Sequence, residues 1–177
     1  MNKILQLGFF LSKTKILFVL IALELIINVL MGFALKDIHI PANETSPVLD
    51  MKLYYDYNIV NEYFTTYTPT DRKAYFLMQM IDLFYPLVYG SLILALLFRF
   101  YREKKKILLI MPVLAVVFDY FENILLIYTN LHYPAVNKEI IFVASIFTLI
   151  KWIFIIFSLI FILKAISSYA LQKFLMI

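Results

Sequence analysis

Long apolar runs separated by polar segments dominate this chain and predict four membrane-spanning helices. The runs cover residues 16–35, 74–98, 107–129 and 140–163. Each is about 20 residues or longer, which is the length an α-helix needs to cross a hydrocarbon core of ~30 Å. The pattern therefore predicts an all-α membrane protein, a four-transmembrane-helix bundle forming a single domain over residues 1–177.

The polar segment 36–73 is the longest interruption of the apolar pattern, and it predicts a long extracytoplasmic first loop. It holds a group of tyrosines, namely Tyr54, Tyr55, Tyr57, Tyr63 and Tyr67. Tyrosines beside a span commonly form an aromatic belt at the membrane surface, and this is the favoured interpretation. The alternative is a cap that folds over the membrane part. In the second run, Pro86 predicts a kink.

The basic residues are distributed unequally between the two ends of the predicted spans. Five lie on the side of the long loop, and ten lie on the side of both termini: Lys3, Lys13, Lys15, Arg99, Arg102, Lys104, Lys105, Lys106, Lys164 and Lys173. Short loops rich in Lys and Arg stay in the cytoplasm. The count therefore predicts a multi-pass protein of the cell membrane with both termini cytoplasmic.

Composition supports this class and narrows the chemistry. The chain is 63% hydrophobic with a mean hydropathy of +0.86, well above the roughly 45–50% apolar content of soluble domains. It has no cysteine, which excludes disulfides and thiolate metal sites. Its +4 charge comes from basic residues beside the spans, so we expect a lipid bilayer and no nucleic acid as partner. No histidine lies in a span, and neither a metal nor a cofactor is expected.

The third span contains an unusual polar group. Asp119, Glu122 and Asn123 stand three and four positions apart, so a helix presents them on one face. Ionisable residues inside a membrane are costly, and they commonly mark a functional site with a charged partner. Lys151, a basic residue in the middle of the fourth span, is the expected partner.

Other spans carry polar residues at a similar depth. At 1.5 Å per residue, the ionisable groups of the four spans lie ~10–18 Å from the ends nearest the long loop. Tyr89 shares a helix face with Asp82, Trp152 follows Lys151, and Arg72 stands at the boundary from which it could reach the acids. The predicted ligand-binding set is Glu24, Arg72, Asp82, Tyr89, Asp119, Glu122, Asn123, Lys151 and Trp152.

Four acids facing one base leave an excess of negative charge that a proton or a cation must balance. We therefore predict a polar site in the outer half of the bilayer that binds a small cationic or lipid-like molecule, such as an amine. One alternative is an acid–base enzyme acting on a lipid-like substrate, for which no catalytic residue is assigned. Another is a structural subunit whose polar groups hold helices together. A homodimer is compatible with each.

Two stretches resemble a group of uncharacterised bacterial four-helix membrane proteins. They are YFTTYTPTDRKAYFLMQMIDLFYPLVYG at residues 63–90 and LIMPVLAVVFDYFENILLI at residues 109–127. The group has Asp-x-x-Glu-Asn in the third span and Thr-x-x-Lys-Trp in the fourth. The resemblance implies a shared set of residues and no particular activity: Arg72, Tyr75, Asp82, Tyr85, Pro86, Pro112, Asp119, Glu122, Asn123, Thr148, Lys151 and Trp152.

Overall fold

The computed structural model describes residues 2–101 and 106–175, and all of its regular structure there is helical. The helices are α1 Asn2–Leu11, α2 Thr14–Leu35, α3 Tyr57–Thr66, α4 Pro69–Asp82, α5 Tyr85–Tyr101, α6 Met111–His132 and α7 Lys138–Leu175, with a 3-10 turn at Lys106–Leu109 before α6. Within the described residues, four helical stretches are long and apolar enough to cross a membrane: Thr14–Leu35, Pro69–Tyr101, Ile107–His132 and Lys138–Tyr169. The prediction of a membrane protein with four such helices is confirmed.

The predicted ends of the spans need correction at several places. The N-terminal residues before the first span form a helix of their own, α1, which packs on α5, where Gly8 lies against Phe98. The fourth span continues as one helix to Leu175, well beyond the predicted end at residue 163, because no Gly or Pro interrupts the apolar run. Residues 102–105, half of the basic segment 99–106 between the second and third predicted spans, lie outside the described residues.

The second span is broken into two helices at the place where a kink was predicted. α4 ends at Asp82 and α5 begins at Tyr85, so Pro86 lies in the first turn of α5. A proline is tolerated in the first turn of a helix because a backbone N–H at that position would have no partner within the helix. The carbonyl of Leu83 accepts a hydrogen bond of 2.9 Å from the Tyr120 hydroxyl on α6. The break therefore lies against the polar stretch of α6.

The polar segment between the first two spans is more helical than a simple loop. α3 begins where the Asp56 side chain accepts from the Ile59 amide. α4 begins at Pro69, where Thr68 and Asp71 form a reciprocal capping box. Apart from the two residues 67 and 68, only residues 36–56 remain without a helix, and we call residues 36–56 the connecting loop.

The connecting loop and α3 fold over one end of the bundle. Tyr55, Tyr63 and Tyr67 are buried in an apolar cluster that includes Leu126 of α6 and Ala144 of α7. The favoured interpretation of the tyrosines as an aromatic belt is therefore wrong for these three, although Tyr54 is exposed. The alternative of a cap describes them better, because their rings pack inward instead of lying along a surface.

Polar side chains lie between two separate apolar clusters. The first cluster lies under the connecting loop, and the second joins α1, α2, α5, α6 and α7 around residues such as Leu97 and Ala115. Along α6, Ala115 belongs to one cluster and Leu126 to the other, with Asp119 and Glu122 between them. Asp82, Asp119, Glu122 and Lys151 therefore form a layer of buried charge across the helices, whereas the buried Asp71 lies apart from it at the start of α4.

Candidate binding site

A cavity of about 290 Å³ opens into the polar layer. Its walls come from α2, α4, α5, α6, α7 and the connecting loop: Glu24, Asp50, Met51, Asp82, Tyr85, Tyr89, Leu92, Ile93, Asp119, Lys151, Trp152, Ile155 and Leu159. Four of these side chains are carboxyls, and they stand near the connecting loop or level with Lys151. The four aliphatic residues lie further along α5 and α7. The cavity therefore has an acidic end and an apolar end.

Lys151 connects the cavity to the motif on α6. Its Nζ lies 2.6 Å from Oε2 of Glu122 and donates to Oδ1 of Asp119 at 3.4 Å. The hydroxyl of Tyr89 donates to the other oxygen of Asp119 at 2.7 Å. All three charged side chains are almost completely buried. Such a pair stabilises only while both partners are present, because an isolated buried charge is costly.

A second set of hydrogen bonds fixes the connecting loop to α7. The Thr148 hydroxyl donates to Oε1 of Glu122 at 2.6 Å and lies 3.2 Å from the hydroxyl of Tyr55. The backbone amide of Tyr55 donates to the Ser145 hydroxyl at 2.9 Å. Burial, with Glu122 nearby, raises the pKa of Tyr55 well above its ordinary value, so its hydroxyl keeps its proton. The loop is thereby attached directly to the ion-pair layer.

Asp82 differs from the other buried carboxyls. It is 4% exposed and lines the cavity, and no residue in the described part of the chain donates a hydrogen bond to its carboxylate. Its position is set by the helix break, because it is the last residue of α4. A buried carboxyl without a donor is destabilising by about 1–3 kcal/mol or more. An additional hydrogen-bond donor that reached Asp82 through the cavity would therefore stabilise it.

The connecting loop covers the acidic end of the cavity. The indole Nε1 of Trp152 donates to the backbone carbonyl of Asp50 at 3.1 Å. Asp50 and Met51 then line the cavity beside Trp152, and Oδ1 of Asp50 is buried without a hydrogen-bond partner among the described residues. The connecting loop thus covers the acidic end of the cavity and also contributes the carboxyl of Asp50 to it.

Comparison of the chain with protein-family models, with curated proteins and with solved structures finds no match. The resemblance to the bacterial four-helix group stays a prediction.

The structure brings six of the nine predicted site residues to the cavity: Glu24, Asp82, Tyr89, Asp119, Lys151 and Trp152. Glu122 lies behind them, bound to Lys151 and Thr148. Asn123 is buried outside the cavity wall, and its Nδ2 has no hydrogen-bond partner among the residues described. The layer is thus assembled from the predicted helices, with the motif on α6 at its centre.

Arg72 lies apart from this group. Its guanidinium donates to the carbonyl of Asn130 and stands over the rings of Phe64 and Tyr133, at 5.8 and 5.6 Å from their centres. It lines a different cavity together with Lys73. Arg72 stands ten positions before Asp82, about 15 Å along α4, and its side chain points to the end of α6.

Three polar or adaptable residues of the cavity are missing from the predicted ligand-binding set, although Tyr85 belongs to the set implied by the resemblance. Tyr85 lies one helical turn before Tyr89, and its ring centre is 5.3 Å from that of Tyr89, so helical spacing could have indicated it. Asp50 and Met51 come from the irregular connecting loop, where sequence offers no periodicity. Their place in the cavity follows only from the tertiary fold.

Proposed function

We propose that this membrane protein binds a small cationic amphiphile in the cavity of its polar layer. The positively charged head would lie among the carboxyls, and the apolar part would lie between α5 and α7. The observation that carries this proposal is the buried carboxyl of Asp82, which faces the cavity and receives no hydrogen bond from the described residues.

The charges around the cavity support a cationic ligand. The carboxyls of Glu24, Asp50, Asp82 and Asp119 line the wall, whereas Lys151 is the base that lines it. Lys151 is paired with Glu122 and Asp119, and no basic side chain of residues 2–101 and 106–175 lies within ion-pair distance of the other three carboxyls. Unpaired charge in a bundle of low polarity is destabilising, and a bound cation would relieve it.

The shape of the cavity supports an amphiphile over a simple ion. Leu92, Ile93, Ile155 and Leu159 extend the cavity away from the carboxyls. Ligand sites of this kind combine mostly apolar walls with a few polar groups that fix the ligand's orientation. Ile93 is buried, whereas Leu159 is exposed on the bundle surface, so the apolar end reaches towards lipid. The excess of basic residues beside the termini favours placing the carboxyl end in the outer half of the bilayer.

Native mass spectrometry of the gently solubilised protein tests the proposal. We expect a bound small molecule on the wild type that is lost from Asp82→Asn, because the amide removes the charge and keeps the shape. Asp37→Asn is the matched control, since Asp37 is exposed and pairs with Lys36 at a distance of 3.7 Å. Identical adducts on all three proteins would contradict the proposal. A chemical change in the bound molecule during incubation would favour the alternative of an enzyme.

A further inference from the structure

Three carboxyls of the cavity have oxygens that lack hydrogen-bond donors, and they come from three separate parts of the chain. Oε2 of Glu24 on α2 and Oδ1 of Asp50 in the connecting loop are buried without a partner among the described residues. Asp82 at the end of α4 receives no hydrogen bond from that part of the chain either. All three residues line the same cavity. The acidic end is therefore a group of hydrogen-bond acceptors as well as a region of negative charge.

Asp119 and Glu122 do not belong to this group. Asp119 accepts from Tyr89 and Lys151, one donor for each oxygen. Glu122 accepts from Thr148 and pairs with Lys151. Both carboxyls have the ammonium of Lys151 as a charged partner. Glu24, Asp50 and Asp82 have no basic side chain within ion-pair distance among the described residues, so a ligand meets these three.

The need for donors distinguishes between kinds of cation. A primary ammonium carries a charge and three N–H donors, as the lysine side chain does. A quaternary ammonium carries the charge but has no donor, and it would leave the acceptors of Glu24, Asp50 and Asp82 unpaired. An alcohol has a donor without the charge. We infer that the cavity selects a single-chain amphiphile with a primary ammonium head, an inference that rests on the proposed function.

The apolar end sets the length of the chain. Lys151 and Leu159 stand eight positions apart on α7, which corresponds to about 12 Å at 1.5 Å per residue. An extended alkyl chain advances about 1.25 Å for each carbon–carbon bond of ~1.52 Å. A chain of about ten carbons therefore reaches from the acidic end to Leu159. Each methylene buried there is expected to increase affinity about fourfold.

Trp152 provides the measurement, because it is the single tryptophan of the chain and lines the cavity. The full chain in nanodiscs of a neutral lipid is titrated with decylamine, decyltrimethylammonium and decanol while tryptophan fluorescence is followed. We expect decylamine to bind at least tenfold more tightly than either of the others, as charge-assisted hydrogen bonds are worth at least that factor. The three heads partition into lipid differently despite the shared chain, so each titration is corrected by one on nanodiscs without protein.

Variants separate this inference from the proposed function. Asp82→Asn and Glu24→Gln are expected to weaken decylamine binding at least tenfold, with a smaller change for decanol, whereas Asp37→Asn leaves all three affinities unchanged. Thermal unfolding of each variant checks that it is folded. Because the two substitutions lie on different helices, the test remains valid if one variant fails to fold. If decyltrimethylammonium binds as tightly as decylamine, and both are weakened by Asp82→Asn, the selection for a primary ammonium is refuted and the cationic site stands. If no amphiphile binds, or binding ignores both variants, the proposed function fails with it.

Discussion

Replacing Lys151 with methionine removes the base that faces Glu122 and Asp119. Its Nζ lies 2.6 Å from Glu122 Oε2 and 3.4 Å from Asp119 Oδ1, and the three side chains are 5%, 0% and 4% exposed. Methionine has a similar length and flexibility, so the substitution removes the charge with little change in volume. Two buried carboxyls are left without their ammonium partner.

The expected loss of stability is about 3 kcal/mol. Removing one partner of a buried ion pair costs about 3–5 kcal/mol, because the other charge remains buried and unpaired. Glu122 keeps its hydrogen bond from Thr148 and Asp119 keeps the one from Tyr89, which places the loss at the lower end of that range. For a chain of this length, about 3 kcal/mol corresponds to a fall in Tm of roughly 6–12 °C.

Thermal unfolding in one detergent measures this effect. Lys36→Met is the matched control, because Lys36 carries the same charge on an exposed side chain and its ion pair with Asp37 is worth at most about 1 kcal/mol. The double variant Lys151→Met/Glu122→Gln is expected to recover more than half of the loss, since it no longer buries the Glu122 charge. A double-mutant cycle then isolates the coupling of the two side chains.

Two results would refute this reasoning. If Lys151→Met unfolds at the same temperature as Lys36→Met, Lys151 does not compensate buried charge. If the double variant loses the sum of the two single losses, Lys151 and Glu122 act independently.

Further substitutions test other parts of the structure. Arg72→Ala is expected to lower the free energy of unfolding by about 2 kcal/mol, because the hydrogen bond to Asn130 is lost. The affinity for decylamine should stay within about twofold, since Arg72 lies outside the acidic cavity. A tenfold loss of affinity would contradict this placement. Gly90→Ala is expected to cost about 1–3 kcal/mol of unfolding free energy, because the new Cβ would lie 2.2 Å from Cγ2 of Val116. Gly32→Ala is its control, with nothing within 4 Å, and should be neutral or stabilising by up to about 1 kcal/mol; equal losses would argue against the close approach of α5 and α6. Trp152→Phe removes the hydrogen-bond donor to the Asp50 carbonyl, so amide hydrogen exchange in the connecting loop should become faster. Unchanged exchange would show that this hydrogen bond does not hold the loop in place.

The sequence by itself determined the membrane class, the four spans and most of the polar layer. These depend on properties that are local along the chain: a helix needs about 20 apolar residues to cross the membrane, and helical spacing puts Asp119, Glu122 and Asn123 on one face. Depth along a span also follows from the rise per residue, which is why Glu24, Asp82, Asp119 and Lys151 were expected at one level and are found around one cavity.

Arg72 was grouped with the acids because it stands at the boundary from which it could reach them, and the sequence could not decide where its side chain points. The rotation of α4 follows from its packing on α2 and α6, and that packing directs Arg72 to Asn130. The break at Leu83 shows an intermediate case. Pro86 indicated a disturbance of the helix, but only the structure supplies the Tyr120 hydroxyl that accompanies the separation into α4 and α5.

The connecting loop was decided by the tertiary structure alone. The connecting loop and α3 contain no membrane span and no regular pattern of apolar positions. The sequence alone therefore left open whether their tyrosines face lipid or the bundle. In the fold, Tyr55 bonds to Ser145 of α7, 90 positions later, and Asp50 is held beside the cavity by Trp152, 102 positions later. Contacts between residues so far apart depend on how the helices pack together, and no local periodicity encodes them.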